Sequence, residues 1–270
     1  MKCIAKIWNM IYDGHRGLAL SGALYVLLAI FFILQQQWDE RILNGVNIWL
    51  KPTKFAISLV VFNWTLALIL PLYPYSTTKR KRLGDLVTWL MVVEIGIIWL
   101  QAWRGKLSHF NMSTPLDQTL FQIMAASITV VLLIAGLLAV DAFHKKLRAS
   151  EAMVWSLRFA WISVLIAGMG GFMMGSALQH SVGIPDGGEG LPFLNWSREG
   201  GDLRVMHFFG LHAIQLLPLA TYGLKRMGLK QPGHLKKATI AISLCYLTFV
   251  LYTFIQALGG KGFLEMLLLP

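Results

Sequence analysis

Seven runs of apolar residues, at about 17–35, 53–72, 84–103, 119–140, 155–179, 204–224 and 238–258, alternate with short polar stretches along the chain. Each is close to the roughly 20 residues a helix needs to cross a bilayer. Apolar positions within a run are continuous, which excludes the residue-by-residue alternation of a membrane barrel. Helices then remain as the way to satisfy a backbone in lipid. The pattern predicts an all-α fold, a polytopic transmembrane helix bundle of about seven spans, forming one helical domain over residues 1–270. No internal repeat is visible.

Composition agrees with the pattern. Of 270 residues, 56% are hydrophobic and 14% charged, and the mean hydropathy is +0.60. The net charge of +11 would suit nucleic acid, but its distribution follows topology instead. Basic residues collect at 79–82, 145–148, 225–226 and 230–237, together with Lys2, Lys6 and Arg16. In a seven-span chain these fall on one side, giving it fifteen Lys and Arg against eight on the other. The positive-inside rule then predicts a cytoplasmic N-terminus and an outside C-terminus. The expected setting is a bacterial inner (cytoplasmic) membrane, with the lipid bilayer as partner and no nucleic acid. The first apolar run is too long for a signal-peptide core and leads into Gln35-Gln-Gln-Trp38, so it is expected to be retained. Cys3 and Cys245 both fall toward the cytoplasmic side, which excludes an outer disulfide, and no motif for attaching c-type haem is present.

Ionisable residues inside a membrane-length helix are costly and are usually buried in protein. The segment 201–215 carries Asp202, Arg204, His207, His212 and Gln215 into the sixth run. At about 100° per residue, Arg204, His207 and Gln215 share one sector, while His212 lies about 140° from His207 and about 7.5 Å deeper. Histidines five apart diverge, unlike the i, i+4 pair that clasps one metal from a single helix. A ligand on His207 or His212 therefore needs a partner from elsewhere, and His109 and His180 are the candidates. These four histidines fall in the outer half or outer loops. His15, His144 and His234 sit beside Lys and Arg and are expected to be solvated.

Glu94 and Gln101, seven apart on the third run, share a helix face. Glu94 lies near mid-membrane, so it is protonated or paired, as a proton relay or a structural hydrogen bond. Lys51-Pro-Thr-Lys54 opens the second run, with Pro52 suited to a first helical turn. Its two lysines would favour an anion near exposed helix N–H groups, or snorkel to lipid headgroups. Arg104 and Asp117 flank the loop before the fourth run. The loop from Gln179 to Leu203, rich in Gly and Pro, reads as a cover over a cavity or as a plain connector. Gly168, Gly171 and Gly175 line one face of the fifth run, for close helix approach or for a flat cofactor. Trp38, Trp49, Trp103, Trp155 and Trp196 read as interfacial anchors.

The phrases Lys51-Pro-Thr-Lys-Phe55, Arg104-Gly-Lys-Leu-Ser-His-Phe-Asn111 and Gly201-Asp-Leu-Arg-Val-Met-His-Phe-Phe-Gly-Leu-His212 resemble segments of uncharacterised bacterial multi-pass membrane proteins. That resemblance implies a membrane protein and brings no activity. The seventh run, 238–258, lacks a lysine for a retinal Schiff base, and the His-x-x-x-His pair of seven-helix zinc hydrolases is absent.

Three functional readings follow. The first is a membrane protein binding b-type haem for redox chemistry or electron transfer, with a quinone as candidate partner. His207 or His212 would pair with His109 or His180 as axial ligands, and Arg104, Arg204, Lys51 and Lys54 would face the propionates, with Gln215 beside them. The second is a zinc or iron enzyme acting on a lipid or other anionic substrate. Its metal would be held by His109, His180, His207 or His212, and its catalytic carboxylates would be Glu94 and Asp202, with Asp117 a further ligand candidate. The third is a transporter or binding protein for an anionic solute or anionic lipid.

Overall fold

The structure is a computed structural model that describes residues 2–264. A short helix, α1 (Lys2–Gly14), precedes seven helices long and apolar enough to cross a membrane. These are α2 (Arg16–Trp38), α3 (Leu50–Ile69, prolonged by a 3-10 turn at Leu70–Leu72), α4 (Thr77–Trp103), α5 (Pro115–His144), α6 (Glu151–Ala177), α7 (Leu203–Arg226) and α8 (Pro232–Leu258). The seven predicted runs are all present. The helices outrun them where polar caps take over from hydropathy: Ser76, Ser150 and Asp202 accept from backbone N–H groups in the first turns of α4, α6 and α7. Such caps satisfy donors that the helix itself leaves unpaired.

The chain divides into two compact units. The first runs to Ile134 and includes His144–Arg148; the second comprises Ala135–Phe143 and the chain from Ala149 onward. In the first unit α2 packs along α3, with α4 and α1 against them. Gly22 leaves room for the Trp64 ring, whose Nε1 donates to the Ala19 carbonyl at 3.1 Å. Toward the other end of α4, Ile97, Ile98 and Met124 form a buried cluster covered by Phe55 and Leu120. Between α2 and α3 a small hairpin pairs β1 (Ile42–Leu43) with β2 (Val46–Asn47) around Asn44-Gly45, both at positive φ. Asn-Gly suits such a turn because both residues tolerate left-handed backbone. Arg41 hydrogen-bonds Asp39 and holds its carboxyl well below the usual carboxylate range, while its Nη1 donates to the Trp103 carbonyl at 3.1 Å.

In the second unit α6 packs closely on α7, and α8 lies against both. The close approach uses Gly171 of the suggested face together with Gly170 and Gly210. A Cβ on Gly210 would stand 2.6 Å from the Ala167 Cβ and 2.9 Å from the Ser163 carbonyl oxygen. Gly170 makes room for Met206 and Gly171 for His207, whereas a Cβ on Gly175 would meet nothing within 4 Å. Gly171 of the expected face thus takes a side chain of α7, Gly175 does not, and Gly170 and Gly210 add to the seam.

Two further expectations are corrected. His15 is not solvated: it is 7% exposed, accepts from Leu18 N–H through Nδ1, and donates through Nε2 to the Lys81 carbonyl at 3.1 Å. His144 and His234 are exposed, as expected. Trp38 and Trp103 are exposed enough for interfacial anchors, but Trp49 stacks on Phe32 and Trp196 packs edge-on to Phe208 and Phe263 inside the protein. Helix α1 has no counterpart among the seven apolar runs, because its 13 residues fall below the length of a span. Cys245 is exposed on α8, while the Cys3 side chain lies outside the described residues.

Candidate functional site

The predicted residues fall in several polar groups, divided between the two units. In the first, Glu94 is 1% exposed on α4, and its Oε1 lies 3.8 Å from the Nε2 of His109. The other oxygen, Oε2, is buried without a hydrogen-bond partner. His109 follows Ser108, whose Oγ is 3.2 Å from Nδ1, and its ring is surrounded by Phe55, Phe110 and Phe121 at centroid distances of 5.7, 6.0 and 6.2 Å. Phe110 adopts φ +62°, a conformation uncommon outside glycine. That turn sets the Phe110 ring edge-on to the His109 imidazole. Lys51, in the first turn of α3, acts electrostatically on Glu94, and its Nζ lies 5.8 Å from the Phe55 centroid. Lys54 is half-buried one turn further on. A carboxylate and an imidazole thus approach each other within an apolar wall. Low polarity strengthens that interaction.

The neighbouring Arg104 is already engaged. Its Nη1 lies 2.7 Å from Asp117 Oδ1, and Asp117 also accepts from Gln101, Ser113 and Thr114. Asp117 is fully buried near the start of α5, so this cluster ties the ends of α4 and α5 together. Its chemistry is structural, since each carboxylate oxygen has donors.

In the second unit the loop 178–202 is tied down. Strand β3 (Ser181–Val182) pairs antiparallel with β4 (Gly201–Asp202), and Gly201 lies against the Ala257 backbone, where a Cβ would not fit. Asp202 caps α7, accepting from Arg204 N–H at 3.0 Å and from Ser197 N–H at 2.9 Å. The Arg204 guanidinium grips the same carboxylate at 2.9 and 2.6 Å and donates to the Asn195 carbonyl. Asp202 is therefore saturated by its own loop and helix, which leaves it little capacity for a metal or a proton-transfer role.

His180 Nδ1 lies 3.2 Å from Asp186 Oδ1, and Asp186 also accepts from the backbone N–H groups of Ser181 and His180. Burial pushes the Asp186 carboxyl up, but the Ser181 hydrogen bonds and the His180 charge outweigh it, leaving it below its ordinary 3.8. A depressed carboxylate gives stability above its ordinary range and loses it as pH falls through the folded value. Exchange protection of the His180 and Ser181 amides is thus expected to be constant above about pH 5 and to fall below about pH 4. Asp186→Asn should abolish that acid-dependent step; an unchanged exchange profile in this variant would show that Asp186 does not hold the loop. His180, Ser181, Asn195, Ser197 and Arg204 line a small solvent-open cleft. The space it encloses, about 10 Å³, is about that of one water molecule.

His207 donates from Nδ1 to the Ala167 carbonyl of α6 at 2.8 Å, which leaves Nε2 as the ring's acceptor nitrogen. His212 turns away, with Nδ1 3.3 Å from Gln215 Oε1 and its ring against Phe208 at 4.5 Å. The divergence expected from five-residue spacing is present. His109 belongs to the first unit, and His180, His207 and His212 to the second. Among the described residues no three His, Cys, Asp or Glu side chains gather in a group suited to a metal ion. The Phe55–Phe110–Phe121 wall and Asp186 went unnoticed in the sequence. Phe110 adjoins His109 and Asp186 sits in a Pro-Asp-Gly-Gly turn, so local signals existed for both.

No family model matches this chain, and neither does any curated protein or solved structure. The class is therefore read from the chain itself: seven apolar helices, compatible with an integral membrane protein.

Proposed function

We propose that this is an integral membrane protein that links protonation of the Glu94–His109 pair to the binding or transport of an anionic solute. The observation supporting it is a span carboxylate, 1% exposed, placed 3.8 Å from an imidazole with its second oxygen unpartnered. Ionisable residues held inside a span mark proton relays and substrate paths. Lys51 and Lys54, at the start of α3, supply the cations an anion would need. Following the positive-inside rule, the N-terminus lies in the cytoplasm of a bacterial inner membrane. The test is reconstitution in vesicles carrying an internal pH dye, with phosphate, sulfate and succinate as anion probes. Anion-dependent acidification is the expected result; its absence with all three, in vesicles that retain folded protein, would overturn the transport reading.

A second reading, b-type haem, draws on His207. A ligating histidine commonly donates its other ring N–H to a backbone carbonyl, and His207 does so to Ala167. A quinone would then be the natural redox partner. A reduced-minus-oxidised spectrum of protein purified with haem supplementation decides it, because a flat spectrum would rule haem out. The zinc or iron reading draws no comparable support from the arrangement of the described side chains.

A further inference from the structure

Helix α1 carries three strips of residues. At about 100° per residue, Trp8, Ile11 and Tyr12 form one strip. Ile11 is 4% exposed and Trp8 meets Trp64 of α3 edge-on at 6.3 Å, so this strip packs on the first unit. Beside it, Ile4, Ile7 and Met10 form a second strip, and these are 74%, 50% and 55% exposed. Lys6, Asn9 and Asp13 occupy the opposite side. An aliphatic strip left uncovered next to a packed one marks an interaction surface.

What covers it follows from position and charge. Only His15 separates α1 from α2, a helix long enough to cross a bilayer. Gly14 lies against the Ala67 carbonyl near the end of α3, which anchors α1 at that end of the first unit. Arg16 stands 5.1 Å over the Tyr12 ring, and His15 donates to the Lys81 carbonyl, bringing the basic run 79–82 to the same end. Amphipathic helices with basic polar faces bind at the headgroup–acyl boundary, more strongly when the lipid is anionic. We propose that α1 is a membrane-surface helix: Ile4, Ile7 and Met10 enter the acyl boundary, and Lys6 with Arg16 meets anionic lipid headgroups. This stands independently of the Glu94–His109 reading.

The test uses the full chain with Cys3→Ser and Cys245→Ser, carrying a nitroxide on either Ile7→Cys or Asn9→Cys. The vesicles are phosphatidylcholine, with or without a quarter of phosphatidylglycerol. Expected is oxygen-rich, lipid-like accessibility at position 7 and water-like accessibility at position 9, with position 7 less immersed when phosphatidylglycerol is omitted. Water-like accessibility at position 7 in both vesicles would overturn the proposal. Equal immersion in both would overturn its headgroup half. Spin–spin broadening at position 7 would place a second copy of the chain on the strip and overturn it as well.

Discussion

Gly210→Val is expected to destabilise the second unit by about 3 kcal/mol, the upper range for overpacking a tight seam. The reason is distance: a single added carbon already stands 2.6 Å from the Ala167 Cβ and 2.9 Å from the Ser163 carbonyl. Neither neighbour can step aside, because one is a methyl on a helix backbone and the other is backbone itself. Helices α6 and α7 must separate, which also loosens the Gly170–Met206 and Gly171–His207 contacts. Valine adds two methyl groups to this clash, so alanine should cost less than valine and still be harmful. Gly175→Ala is the control, since its new carbon would meet nothing within 4 Å. Relieving an interior helix of glycine gains roughly 0.5–1 kcal/mol, so this variant should melt at or above the parent temperature. Thermal melts in detergent, followed by fluorescence, compare the three. A parent-like melt for Gly210→Val would mean that the two helices do not meet there.

The glycine seam also shows where sequence reading stops. Hydropathy located all seven long helices because crossing a bilayer demands a length that few other structures need. It was silent about which face of each helix meets which neighbour, since lipid and protein interior are equally apolar. Gly168, Gly171 and Gly175 shared a face by spacing, yet Gly175 meets nothing, and Gly171 shares the seam with Gly170 and with Gly210 of a different helix. His15 misled for a related reason. Its neighbours in sequence are charged, but its neighbours in space are the Leu18 N–H and the Lys81 carbonyl, sixty-six residues away. At the candidate site, local spacing did better. The five-residue step between His207 and His212 forced their divergence, and Glu94 announced itself as an ionisable group within a span. That His109 lies against Glu94 was not legible, because the two are fifteen residues apart and the loop that carries His109 has no hydropathy signal.

Glu94→Gln is the substitution with the largest functional effect expected. It keeps the size of the side chain and removes its proton chemistry, so proton-linked uptake should fall at least tenfold, or about 1.4 kcal/mol in the coupled step. Stability should not fall with it. Glutamine keeps the size and the hydrogen-bonding capacity of the carboxyl group. A neutral amide also carries no cost of burying a charge in a span. His109→Gln should lose uptake to a similar degree, and the double variant should add little to either single one, because groups acting as a unit are not additive. Asp117→Asn provides the contrast. Its carboxylate serves Arg104, Gln101, Ser113 and Thr114, so that variant should melt earlier while the surviving folded protein keeps its pH-dependent uptake. If Glu94→Gln instead keeps pH-dependent uptake and melts early, then Glu94 belongs with Asp117 as a structural residue and the relay lies elsewhere. Loss of uptake with an unchanged melt separates the two roles, because a purely structural carboxylate has no means of changing one without the other.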